Sequence, residues 1–235
     1  VKNRRQYTFY ISLICSACIY CACSVRKADS NDLQGTIIYS ITYPFEENSV
    51  MMDLYPKEMI LHFKGEMMHS QIASSYDIMK TDFIIDCENK TFIQLLKNMS
   101  KRYGMQLNEQ ETKTWYKQYP QYKLEQTQET LTIAGYVCNK TIAHSPNDSL
   151  PPIDIYHTKG LGIETSNWWN PFSEIDGFLM GYDVEQYGLS MRLRAKEVRF
   201  EPVGDEEFAV SDKFPMIEPS AMQKHLYEVV DEYIK

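Results

Sequence analysis

A chain of 235 residues, 43% of them hydrophobic, is long enough to bury one substantial core and fits one domain better than two. Its formal charge of −8 at neutral pH excludes nucleic acid and anionic lipid as broad electrostatic partners. Four of the six cysteines crowd into the first 23 residues, which excludes a disulfide framework or zinc site spread through the folded part.

The chain begins with Lys2, Arg4 and Arg5 and continues without a charge from Gln6 to Ala22, where small residues gather. Basic, then apolar, then small is the order of a secretory signal, and the uncharged stretch is too polar and too short for the ~20 apolar residues of a spanning helix. Cysteine after small residues fits a bacterial lipoprotein signal, in which that thiol is acylated and becomes the new N-terminus. Cys23 after Ala22 is the expected lipidation site and Cys18 after Ser16-Ala17 the alternative, although Tyr20 and Cys15 stand where an aliphatic residue is usual. An ordinary signal cut near Ala22 satisfies the same small-residue rule. Residues 1–22 carry three basic and no acidic side chains, so their removal takes the charge from −8 to −11. Residues 23–34 read as a polar tether, and residues 35–235 as a single domain.

Alternation dominates that domain. Ile37, Tyr39, Ile41 and Tyr43 occupy every second place, as in a strand with one dry face. The stretches 58–63 and 66–72 flank Lys64-Gly65 as a hairpin, 78–86 and 91–97 flank the turn-forming Glu88-Asn89-Lys90, and another strand covers 102–107. Asn108 followed by Glu111 forms a capping box that opens a helix, with Thr112, Trp115, Tyr116 and Tyr119 on one face and Pro120 as its stop. Strand pattern resumes at Leu131, Ile133, Val137 and Ile142, and again over 153–157, while the glycines of 160–162 and 177–181 read as turns. Leu189, Met191, Leu193 and Ala195 alternate with polar residues, then the phase shifts at Val198, which predicts a bulge near Lys196-Glu197. Met222, Leu226, Val229, Val230 and Tyr233 give a closing amphipathic helix behind Pro219-Ser220. The expected class is α+β: a large curved antiparallel sheet with helices packed on one face.

No hydrolase, zinc-protease, phosphate-loop or paired Cys-x-x-Cys motif occurs in the domain, so the expectation is a non-enzymatic protein with no catalytic residues and no cofactor. A two-residue Lys64-Gly65 turn would set His62 and His69 diagonally on one face with Glu58 of the same parity. Without a full ligand set they read as solvated histidines rather than a metal site. Glu206-Glu207 reads as solvated surface. Cys87 and Cys138 could pair or remain buried thiols. Asp148-Ser149-Leu150 matches a short O-glycosylation pattern of exported proteins.

What rises above background is soft apolar surface. All 12 methionines lie in the domain, and extended pairs such as Met67-Met68 or Trp168-Trp169 cannot both enter one core. Met67, Met68, Trp115, Trp168, Trp169, Phe172, Met191 and Leu193 are the candidate walls of an apolar groove.

Five segments, GTIIYSITY at 35–43, LYPKEMILHFKGEMMHSQIA at 54–73, IIDCENKTFIQLL at 84–96, TIAGYVCNKTIA at 132–143 and GFLMGYDVEQYGLSMRLRAKEV at 177–198, together resemble a group of Bacteroidetes envelope lipoproteins, the GLPGLI-like group, whose domain is similar to the LolA/LolB lipoprotein carriers. GFLMG stands at the place of the group's signature. The resemblance implies an open half-barrel sheet able to hold acyl chains, and it supplies no catalytic residues. The expected protein is thus a lipid-anchored envelope protein, on the periplasmic side of the inner or outer membrane or at the cell surface. It would bind a lipid or acylated ligand, or else dock an envelope protein through a packed domain.

Overall fold

The computed structural model describes residues 33–44, 53–75, 78–117, 119–146, 151–163, 167–186 and 189–233. The expected signal with Cys18 and Cys23, nearly all of the tether, Met51-Met52 and Asp148-Ser149-Leu150 lie outside the described residues.

The alternating segments pair into one 11-stranded antiparallel sheet. Its strands are β1 Gln34–Thr42, β2 Glu58–Lys64, β3 Met67–Ala73, β4 Met79–Asp86, β5 Thr91–Asn98, β6 Lys101–Leu107, β7 Lys123–Ile133, β8 Tyr136–His144, β9 Ile153–Thr158, β10 Phe178–Gln186 and β11 Leu189–Arg199, and the helices are α1 Glu109–Tyr116 and α2 Pro219–Tyr233. The spatial order is β6-β5-β4-β3-β2-β1-β11-β10-β9-β8-β7. The first strand therefore lies at the centre, the next five step outward to one edge, and β7 restarts at the opposite edge, from which the strands step back in until β11 pairs with β1.

One face of β1 to β6 and of β11 carries the core, because every second side chain is apolar. Tyr39, Phe63, Phe92, Leu96, Met105 and Leu193 are fully enclosed there. The phase shift expected in β11 is present: Ile38 pairs with Glu197 but Tyr39 with Ala195, so Lys196 is the extra residue of a bulge. A bulge increases twist, and the sheet curls enough that β7, four places away in the order, comes within 8 Å of β11 between Cα atoms. Next to this joint, a Cβ on Gly35 would stand 2.1 Å from the Arg199 carbonyl oxygen. Gly35→Ala is accordingly expected to part β1 from β11 and to lower the urea midpoint, at a cost of about 1–3 kcal/mol.

Among the described residues there are two α-helices, fewer than a layer over a whole face of this sheet would need. The α1 helix has the expected capping box, with Asn108 Oδ1 accepting from the Glu111 amide at 3.0 Å and Glu111 Oε2 accepting from the Asn108 amide at 2.9 Å. It ends at Tyr116, and Tyr119 follows outside it. The α2 helix buries Met222, Leu226 and Val229, and its His225 ring stacks on Tyr103 of β6 at 3.8 Å between centroids. The segment before it covers the β6 edge, where the Gly104 amide donates to Pro215 O at 2.9 Å and the Ile217 amide to Gly104 O at 2.8 Å. That edge is protected from pairing with another chain.

Three local expectations need correction. The hairpin turn is Gly65-Glu66, because Lys64 pairs with Met67, and Gly65 takes the positive φ of 55°. Residues 131–142 are not one strand: Ala134-Gly135 turns between β7 and β8. Residues 178–181 open strand β10 rather than a turn, with Gly181 opposite Arg194, whose guanidinium would lie 2.1 Å from any Cβ at that position.

Candidate functional site

Loops cover most of the hollow on the concave face. The end of α1 brings Tyr116 over it, the segment that follows brings Tyr119 and Tyr122, and the 167–172 turn brings Trp169, Pro171 and Phe172. Between these and the sheet side chains Tyr39, Met59, Leu61, Met68, Phe83, Tyr182 and Leu193 lies a hollow of about 130 Å³. Ring contacts tie the cover to the floor. Phe92 packs against Phe83 at 6.0 Å, Trp169 at 5.7 Å and Tyr116 at 6.0 Å, and Tyr122 lies 5.5 Å from Phe172. Such pairs add stabilisation beyond the area they bury.

The hollow is apolar with neutral polar handles. Burial pushes the Tyr39 and Tyr182 phenols well above the usual tyrosine range, so both stay protonated at any physiological pH. Tyr39 spends its proton on Leu179 O at 2.7 Å. Asp183, at the rim, accepts twice from Arg192, from Nε at 3.0 Å and from the terminal nitrogen at 2.8 Å. Asn167 donates to the Ile175 and Gly177 carbonyls at 2.9 and 2.8 Å, which anchors the turn that carries Trp169.

Of the side chains expected in a groove, Met68, Trp169, Phe172 and Leu193 line this hollow. Met67 has the opposite parity and leaves the concave face, Met191 is buried in the core beside it, and Trp115 is a half-buried neighbour of that core. Trp168 does not line the hollow; it packs against the core with the Lys90 ammonium 5.5 Å from its ring centroid. Met67 and Met68 divide between the two faces of their strand, whereas Trp168 and Trp169 lie in a turn and both pack against the core. The tyrosines were in plain view in the sequence, but the helical face expected at Tyr116 and Tyr119 spans the end of α1 and the loop beyond it.

The convex face holds a second constellation. The shift of the β2–β3 turn by one residue places His62 directly opposite His69 instead of diagonal to it, with ring centroids 6.2 Å apart. His69 is only 7% exposed, so it is a buried group and not a solvated one. Its Nε2 lies 2.9 Å from Asp82 Oδ1, which also receives Gln71 Nε2 at 3.2 Å and Lys80 Nζ at 3.2 Å. Burial raises the Asp82 pKa, but these donors outweigh it and hold the carboxyl below its ordinary value. An ionised Asp82 fixes the proton of His69 on Nε2 and leaves Nδ1 buried without a hydrogen-bond partner. His62 Nδ1 lies 3.1 Å from Thr36 Oγ1, and burial lowers the pKa of its ring, which favours the neutral form. Glu207, on the 3₁₀ turn Asp205–Phe208, puts Oε2 3.9 Å from both His62 Nε2 and His69 Nδ1. Glu58 does not join them; it pairs with Lys196. Among the described residues, no three His, Cys, Asp or Glu side chains are gathered to hold a metal ion as they stand.

Cys87 and Cys138 are both free and buried. Burial pushes the Cys87 thiol up to about 11 and also raises Cys138. Two thiols are therefore expected to react with a disulfide reagent at pH 8 only after denaturant is added. A polar recess of about 500 Å³ beside β7 to β9 includes His157 and Lys140, whose ammonium is already shared between Glu129 at 3.2 Å and Asp154 at 3.1 Å.

Comparison with protein-family models finds no match, and comparison with curated proteins finds none. Among solved structures, the chain is similar to PNGF-II, with a TM-score of 0.54 and 15% identity over 83% of this chain and 33% of that one. It thus spans about a third of that chain's length. The likeness is one of fold. A Pseudomonas aeruginosa MucA/MucB complex is similar at a TM-score of 0.38 and 5% identity, over 78% of this chain and 58% of that chain. No helix among the described residues is long and apolar enough to cross a membrane.

Proposed function

We propose that this chain is a non-enzymatic, lipid-anchored envelope protein of the GLPGLI-like, LolA-like kind, tethered through Cys23 and binding an apolar ligand on the concave face of its open half-barrel. The observation that carries the binding reading is the hollow of about 130 Å³ walled by Tyr39, Phe83, Trp169, Phe172 and Tyr182. Its volume sets the scale of the ligand. A dry cavity of roughly 150 Å³ accepts benzene, so this one seats a ring or the end of an acyl chain and not a whole lipid. Walls that are apolar apart from Asp183, which is already paired with Arg192, favour the same class, since an ion entering them would lose its hydration without a free partner. The basic, apolar and small order of residues 2 to 22 supports export, and acylation would supply the membrane contact.

Mass spectrometry of organic extracts from protein purified out of its own membrane tests this reading. A stoichiometric apolar molecule that is absent from extracts of Trp169→Ala is the expected result. Extracts without such a molecule, together with no binding of added lipid or aromatic compounds, would overturn it.

A second reading rests on the β7 edge. This strand ends the sheet, most of its 11 residues are exposed, and Val137 beside it is 65% exposed. An envelope partner could add a strand there while the core stays packed. Crosslinking from residues of β7 in intact cells, with the hollow blocked by substitution, separates the two.

A further inference from the structure

The convex cluster is built from the outside inward in the way a metal site is built. Metal-binding histidines hold the ring nitrogen that faces away from the ion through a second partner, which fixes tautomer and orientation. Here Asp82 holds His69 Nε2 at 2.9 Å, and Thr36 Oγ1 stands 3.1 Å from His62 Nδ1. The two remaining nitrogens, His69 Nδ1 and His62 Nε2, converge on one carboxylate oxygen, Glu207 Oε2, at 3.9 Å each. His69 Nδ1 is buried and has no hydrogen-bond partner, a cost that a native fold rarely leaves in place without a use.

We propose that His62 Nε2, His69 Nδ1 and Glu207 Oε2 bind a divalent first-row transition-metal ion such as Zn²⁺, with a fourth position open to water. Two nitrogens and one carboxylate oxygen suit such an ion, whose bonds to them run at about 2.0–2.2 Å. Ligands of a tetrahedral ion at those lengths stand about 3.4 Å apart. The present 3.9 Å separations from Glu207 exceed that by about half an ångström, a gap that a small swing of Glu207 covers on its side of the site. Glu207 can move: its side chain is 44% exposed on a short 3₁₀ turn, whereas both histidines sit on paired strands. The surrounding charge favours a cation. Glu201 adds negative charge beside His62, and of the nearby lysines Lys80 is paired with Asp82 and Lys64 with Asp205. Binding would also clamp the 201–208 segment onto β2 and β3.

The test is calorimetric titration of the full chain with ZnCl₂, after iodoacetamide treatment to remove thiolate ligands at Cys15, Cys18, Cys21 and Cys23. One equivalent is expected to bind. His62→Gln and Glu207→Gln, both at partly exposed side chains, should weaken it at least tenfold while circular dichroism stays unchanged. Asp82→Asn should weaken it by about 10–100-fold through loss of the group that orients His69. Absence of binding at millimolar zinc, or an isotherm unaltered in both His62→Gln and Glu207→Gln, would overturn the proposal.

Discussion

Phe92→Ala is expected to lower stability by about 3–5 kcal/mol and to abolish ligand binding in the hollow. The ring is fully buried on β5 and meets three partners: Phe83 of the floor, Trp169 of the 167–172 turn and Tyr116 at the end of α1. Removing it leaves a void under both cover loops at once. A substitution at one loop, such as Tyr122→Ala, removes the Tyr122–Phe172 contact but leaves the three ring contacts of Phe92 in place. Urea denaturation of Phe92→Ala, with near-ultraviolet circular dichroism to follow the tryptophans, checks both parts. A loss of stability with an unchanged aromatic signal would show that the cover is held by something other than this ring.

Asp82→Ala is expected to cost about 2–4 kcal/mol at neutral pH, because it leaves His69 Nε2 and Gln71 Nε2 without their acceptor in the convex cluster. The effect carries a pH signature. The folded pKa of Asp82 is depressed, so the stability it contributes is complete above its unfolded value of about 4 and is lost as pH falls through the lower folded value. Urea midpoints of the two proteins should therefore differ most near neutral pH and converge in acid below about pH 4. A gap independent of pH would mean that Asp82 acts by packing alone.

Those two residues mark what the sequence could and could not disclose. Alternation in β1 and β11, and even the bulge at Lys196, were legible because one face of each strand is dry and the other wet. Strand β7 was half hidden because its first eight residues are exposed or half-buried on both sides, so no apolar period marks them. Strand β10 was hidden by two glycines, one of which makes room for Arg194. A one-residue difference in turn position at Gly65 changed the relation of His62 to His69 from diagonal to direct. Parity alone separates Met68 from Met67, so part of the hollow could be read in advance. The approach of Glu207 to His69, 138 positions earlier in the chain, depends on how the segment after β11 folds back over the convex face, and no local pattern encodes that.

The hollow as a binding site is the central claim, and methionine methyl resonances report on it directly. Met59 and Met68 line it, whereas Met99 is 63% exposed elsewhere and Met222 is enclosed under α2. In protein labelled with ¹³C at methionine methyls, titration with a compact aromatic compound and with a short fatty acid should shift Met59 and Met68 saturably and leave Met99 and Met222 in place. Unmoved Met59 and Met68 signals at saturating ligand, or equal shifts at all four, would contradict the account.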